Sequence, residues 1–166
     1  MRILKIVLWI AVIFLLETVF TRIIGIRGIL PDLLLAFTVA FALRERSLAA
    51  VVYIMLICGV LSGSMLGRSF PACVLAAACA GLAARSLRSS IKFVPVWLKN
   101  AVLMLFTSFL LSSAEYLFAY GTITPGGLFF SILPFTAYTT AASCAVYPLV
   151  KRVFFKETEI SKLLMI

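Results

Sequence analysis

The chain has 166 residues, 64% of them hydrophobic and 13% charged, with a mean hydropathy of +1.18. Soluble domains run about 45–50% apolar and about 25% charged, so this composition excludes an ordinary soluble domain. The lack of histidine excludes His-based catalysis and His metal ligation, and the 15 Lys+Arg against 6 Asp+Glu leave a net charge of +9 that suits anionic lipid headgroups. No polar stretch is long enough to build the basic face of a nucleic-acid binder.

A helix needs about 20 apolar residues to cross about 30 Å of hydrocarbon. Cutting the chain where charge or turn chemistry interrupts the apolar runs predicts an all-α integral membrane protein, a single transmembrane domain over 1–166 with six spans. The first runs from Ile3 to Thr21 behind Arg2 and Lys5. It is longer than the apolar region of a signal peptide, and no small-x-small site follows it. The second runs from Ile29 to Leu43, where Pro31 suits the first helical position and Asp32 faces the positive end of the helix dipole.

The third span, Ser47 to Gly67, holds Gly59, Gly63 and Gly67, and the fourth, Ser69 to Ala84, holds Ala72, Ala76, Ala80 and Ala84. Residues four apart share a helix face, so each ladder predicts a smooth strip for close backbone approach by a neighbouring helix or by a different protein. The short second and fourth spans have to be steep, extended by flanking residues or shielded by protein. The fifth runs from Leu98 to Tyr120 and carries Glu115; the sixth, Gly127 to Val150, contains Pro134 and Pro148, which allow kinks. Cys58, Cys73, Cys79 and Cys144 all lie in apolar runs without CxxC spacing and read as small buried hydrophobes, with neither a disulfide framework nor a zinc site.

Six spans put both termini on one side. That side collects Arg2, Lys5, Arg44, Arg46, Arg85, Arg88, Lys92, Lys99, Lys151, Arg152, Lys156 and Lys162, against Arg22, Arg27 and Arg68 on the other, which predicts N-in and C-in. Trp97, Phe93 and Lys99 then anchor the inner interface, with Tyr116 and Tyr120 near the outer one. Glu17, Asp32 and Glu115 fall in the outer part of the membrane beside Arg22, Arg27 and Arg68. Charged groups there need a reason, and this outer polar cluster reads either as structural ion pairing or as a pocket for a small ligand or a partner's side chains. Ser62, Ser64, Ser112 and Ser113 have no histidine to activate them, so an enzyme is not expected, and neither catalytic residues, a cofactor nor a metal is assigned.

The element Ile29-Leu30-Pro31-Asp32-Leu33-Leu34-Leu35 after a short first loop, with a third span ending Gly63-Ser64-Met65-Leu66-Gly67, resembles the rod-shape-determining MreD family. Chain length, six spans and a short basic tail agree, and Pro-Asp-Leu-Leu-Leu is the most specific piece. The family often carries an acidic residue in the third span upstream of its Ser-Gly-Ser-x-x-Gly element; Gly59 stands at about that place here. The resemblance implies a multi-pass scaffold of the bacterial inner membrane, part of the elongation (rod) complex. Its implied partners are MreC and, through MreC, MreB filaments, together with the synthase formed by RodA and a class B penicillin-binding protein. It also implies an architecture similar to the substrate-binding subunits of energy-coupling-factor (ECF) vitamin transporters. A small-molecule-binding subunit of that kind is the alternative reading.

Overall fold

The structure is a computed structural model and describes residues 2–24, 29–65, 69–90 and 93–154. Among these the regular elements are helices, and no strand is present. They are α1 (Arg2–Ile24), α2 (Leu33–Ala42), α3 (Leu48–Met65), α4 (Phe70–Ser90), α5 (Val96–Tyr120), α6 (Pro125–Gly127) and α7 (Leu133–Phe154), with a π-helical turn, Leu128–Ile132, between the last two.

α2 departs most from the sequence expectation. Pro31 does not enter the helix: Asp32 is extended (φ −88, ψ 92) and acts as N-cap, so Leu33 is the first helical residue in place of the predicted start near Ile29. Ten residues at 1.5 Å each give about 15 Å, half of a hydrocarbon core. Every residue from Leu34 to Ala42 is buried. α2 is thus an internal helix wrapped by its neighbours, α7 and α4 foremost. Non-helical backbone such as that at its two ends is tolerated at membrane depth only where protein covers it.

Two more boundaries move. The stretch from Arg85, expected to be a polar connection after Ala84, continues α4 to Ser90, since arginine and leucine are good helix formers and the guanidinium groups find carbonyls nearby. The sixth segment begins earlier than Gly127 and ends later than Val150, as one helical run over Pro125–Phe154. Thr124 caps its start, accepting the Gly127 N–H at 3.1 Å with Pro125 at the first position. The N–H of Leu133 reaches back five residues to the Leu128 carbonyl. Pro134 has no N–H to offer, which favours this wide turn just before it. Gly121, at φ +74, closes α5 in the left-handed conformation that glycine adopts without a Cβ clash.

Three of the helical segments are long and apolar enough to cross a membrane, Phe70–Arg88, Val96–Tyr120 and Pro125–Phe154; shorter apolar segments are Ile6–Val19, Leu33–Ala42 and Leu48–Ser64. At most a third of each long window is buried, and Phe106, Leu110, Phe118, Phe129 and Phe130 point outward. Surface of this kind is what hydrocarbon covers and water does not. Cys58 and Cys73 are buried as expected, whereas Cys79 and Cys144 are exposed. The expectation that all four are inside fails because an apolar residue gains nothing by leaving a hydrocarbon-like exterior.

The core forms on the two sides of α2. Leu35, Ala36, Val39 and Ala42 pack with Val51 and Met55 of α3, Leu103, Met104 and Leu111 of α5, and Ala72, Ala80 and Ala84 of α4, with Ala76 at the margin. Leu34, Phe37, Ala40 and Phe41 pack with Ile10 and Ile13 of α1, Ile54 and Cys58 of α3, and Tyr147 and Val150 of α7. Phe154 sits edge-on to Phe37 and Phe41, at 6.1 and 5.8 Å between ring centroids.

The most extensive helix pair is α3 with α4. A Cβ on Gly59 would lie 2.9 Å from the Cα of Val74, and one on Gly63 would lie 2.7 Å from the Cα of Phe70. Real Cβ atoms do not come that close to backbone, so glycine at these positions sets the distance between the two helices. Gly67 lies outside the described residues.

Candidate functional site

Two of the three acids expected within the membrane, Glu17 and Asp32, converge on the first turn of α2. Asp32 is 1% exposed, and its Oδ1 accepts the Leu35 N–H at 2.7 Å while its Oδ2 accepts the Ser62 hydroxyl at 3.3 Å. Its own N–H donates to Thr139 Oγ1 at 3.3 Å. One residue thereby ties the start of α2 to α3 and α7. Glu17, on α1 and 3% exposed, accepts the Leu34 N–H on Oε2 at 3.3 Å.

The N–H groups of Leu34 and Leu35 belong to the four that no helix can satisfy from within, and they sit at the positive end of the helix dipole. Supplying them with carboxylates from two different helices meets two needs at once. The orphan donors are bonded, and the buried acids face partial positive charge instead of bare hydrocarbon.

Glu115, half-buried on α5, joins through sulfur. Cys73 Sγ lies 3.7 Å from Glu115 Oε1 as donor and 3.8 Å from Ser62 Oγ as acceptor. Ser62 has a single hydroxyl proton, and the Asp32 carboxylate is a far better acceptor for it than a thiol. A small cavity of about 10 Å³ opens beside Asp32, lined by Thr38, Cys58, Gly59, Ser62, Cys73 and Ala77 among others. That is room for about one water molecule.

Of the predicted outer cluster, the structure brings Glu17 and Asp32 to one helix start and places Glu115 against Cys73, which lies beside Ser62. Arg22 belongs to α1, but its side chain, like the whole of Arg27 and Arg68, lies outside the described residues. The predicted arginine pairing therefore has no geometry here; the partners seen for Glu17 and Asp32 are backbone amides and a serine hydroxyl. Sequence reasoning missed Ser62, Cys73 and Thr139 as site members. A hydroxyl in an apolar run ordinarily bonds a carbonyl of its own helix, and nothing local marked these as exceptions.

A second polar seam, between α5 and α7, shows that ordinary behaviour. Thr107 donates to Leu103 O, Thr136 to Ile132 O and Thr140 to Thr136 O, each within its own helix. Buried Asn100 crosses the gap, its Nδ2 donating to Ser143 Oγ at 3.3 Å and to Ser143 O at 3.4 Å. Hydroxyls bonded to their own backbone do not form a relay, so this seam acts as interhelical glue.

Tyr116 packs over Gly127 and meets Thr124 Oγ1 at 3.1 Å, fastening the α5–α6 corner, with the Tyr120 ring tilted beside it at 4.6 Å between centroids. At the other end of α5, Trp97 and Phe93 are exposed, whereas Lys99 is buried and donates to the Leu87 carbonyl at 3.1 Å. It thus serves the negative end of α4.

No family model, no curated protein and no solved structure matches this chain.

Proposed function

We propose that the chain is a non-enzymatic scaffold of the MreD type, with six spans in the bacterial inner membrane and both termini inside. In this reading it binds MreC laterally and helps position peptidoglycan synthesis by RodA and a class B penicillin-binding protein along the cell cylinder. The supporting observation is the use of the acids. Glu17 and Asp32 direct their oxygens to the start of α2, and the cavity beside them is about 10 Å³. A site for a vitamin-sized ligand needs about 300–1,000 Å³. The Pro-Asp-Leu-Leu-Leu element that carries the resemblance is therefore accounted for as architecture, with the outward apolar helix faces left for other membrane proteins.

Gentle detergent extraction followed by identification of copurifying proteins tests this directly: an MreC-like single-span protein is the expected companion. Depletion in a rod-shaped host is expected to give rounded or widened cells. Normal rods with a defect in vitamin uptake would overturn the scaffold in favour of the ECF-type alternative.

Topology has its own test. Reporter fusions after Gly25, Arg68 and Thr122 are expected to signal outside, and those near Glu45, Ser89 and the C-terminus inside, because twelve of the fifteen basic residues then share the inner side. An outside signal from the C-terminus would make the span number odd and refute the arrangement.

A further inference from the structure

At the far end of α2 from Asp32, the chain turns into α3 through Arg44, Glu45 and Arg46, and the last turns of α4 lie against that connection. Arg88 Nη1 donates to the carbonyls of Arg44 and Glu45, at 2.7 and 2.6 Å, and Arg85 Nη1 donates to the carbonyl of Arg46 at 3.1 Å. Arg44 donates through Nη2 and Nε to the Tyr147 hydroxyl, at 2.7 and 3.2 Å. Arg44, Arg46 and Arg85 are close enough to Arg88 to repel it, and the opposing charge comes from Glu45. The buried Glu45 carboxylate also accepts the N–H groups of Arg46 and Ser47, at 2.8 and 3.0 Å, where α3 begins. Four guanidinium groups and one carboxylate leave three positive charges in one place.

We propose that this arginine cluster binds the phosphodiester headgroup of an anionic phospholipid, a proposal that rests on the membrane reading above. Three observations favour this occupant. Arg85 and Arg88 are held by one nitrogen each on main-chain carbonyls, so their remaining N–H groups are fixed in direction, and a guanidinium fork fits a phosphate through two parallel hydrogen bonds. Arg46 is exposed and its guanidinium makes no hydrogen bond among the described residues. Apolar surface borders the cluster: Leu48 follows Arg46 by two residues, Leu82 precedes Arg85 by one helical turn, and both are about half exposed. A soluble anion would use the charge alone. A phospholipid uses the charge for its headgroup and the leucines for its acyl chains.

The full chain in neutral detergent is titrated with phosphatidylglycerol, phosphatidylcholine and inorganic phosphate. Retained lipid is read by native mass spectrometry, and the melting temperature is followed in parallel. Phosphatidylglycerol is expected to be retained and to raise the melting temperature, while the other two do neither. Arg46→Gln or Arg85→Gln is expected to weaken phosphatidylglycerol binding about fivefold, and the double variant about 25-fold, from the contribution of each basic residue at an anionic surface. The lipid-free melting temperature of Arg46→Gln should stay unchanged, whereas Arg85→Gln also gives up its bond to the Arg46 carbonyl. Should the double variant misfold, Arg46→Gln alone is decisive, because its side chain supports no structure, and Arg46→Lys is expected to recover part of the binding.

Equal retention of phosphatidylcholine, an equal response to inorganic phosphate, or wild-type phosphatidylglycerol binding by Arg46→Gln would each overturn the proposal. Alkaline extraction of the chain reconstituted in phosphatidylcholine vesicles separates the two readings: a chain that stays in those vesicles yet ignores phosphatidylglycerol in detergent refutes the lipid site only, and a chain that leaves them refutes the membrane reading itself.

Discussion

Gly63→Leu is expected to destabilise the bundle by about 3 kcal/mol, the upper end of the usual overpacking cost. The Cβ alone would stand 2.7 Å from the Cα of Phe70, a main-chain atom that cannot rotate away, so α3 and α4 have to separate along the most extensive helix contact in the molecule. Gly81→Ala is the control. The atoms it meets are the sulfur and Cγ of Met55, a flexible side chain that can change rotamer although it is packed in the core, so the cost should be smaller, about 1–2 kcal/mol. Thermal melts in detergent of the two variants and wild type measure the difference. A Gly63→Leu protein that melts like wild type but no longer captures its partner would mean that the strip serves an intermolecular contact instead.

Asp32→Ala is expected to cost about 2–4 kcal/mol, the sum of a lost helix cap and of buried donors left without an acceptor. Leu35 N–H and the Ser62 hydroxyl both lose their bond, and the burial of the site keeps bulk water from replacing it. Asp32→Asn keeps an acceptor oxygen and is itself a good cap, so it should lose less than about 1 kcal/mol. Denaturant titration of both variants in the same micelle separates these outcomes. Equal losses would show that negative charge, and not the hydrogen-bond geometry, holds the start of α2.

How much of this was legible in the sequence differs between elements for physical reasons. The apolar runs announce helices, and the Pro31-Asp32 pair announces a helix start, because proline and a capping carboxylate act locally. The four-residue spacing of Gly59 and Gly63 likewise points to close approach. That α2 is shorter still than the predicted Ile29 to Leu43, and internal, was not legible: Ile29 and Leu30 ahead of it are as apolar as its interior, and a helix buried on all sides reads like one that crosses lipid. The extension of α4 past Ala84 was hidden by charge, which suggests a loop although arginine prefers helix. Which donors Glu17 meets lies furthest from view, since Leu34 is 17 residues away and joins it only through the packing of α1 on α2.

The bond between the Asp32 amide and Thr139 spans 107 residues. In the order in which a ribosome delivers the chain, the start of α2 emerges long before α7 exists. A helix of about 15 Å has little claim on a bilayer by itself, so the seat of α2 is complete only when its last-made neighbour arrives. Biogenesis then closes from the C-terminal end backward: a polypeptide halted ahead of Thr139 does not merely lack one helix but leaves an early one with its seat incomplete. Quality control at the membrane would meet such a stalled chain as an unfinished bundle, with the first turn of α2 held by α1 and α3 but short of its Thr139 anchor as its mark.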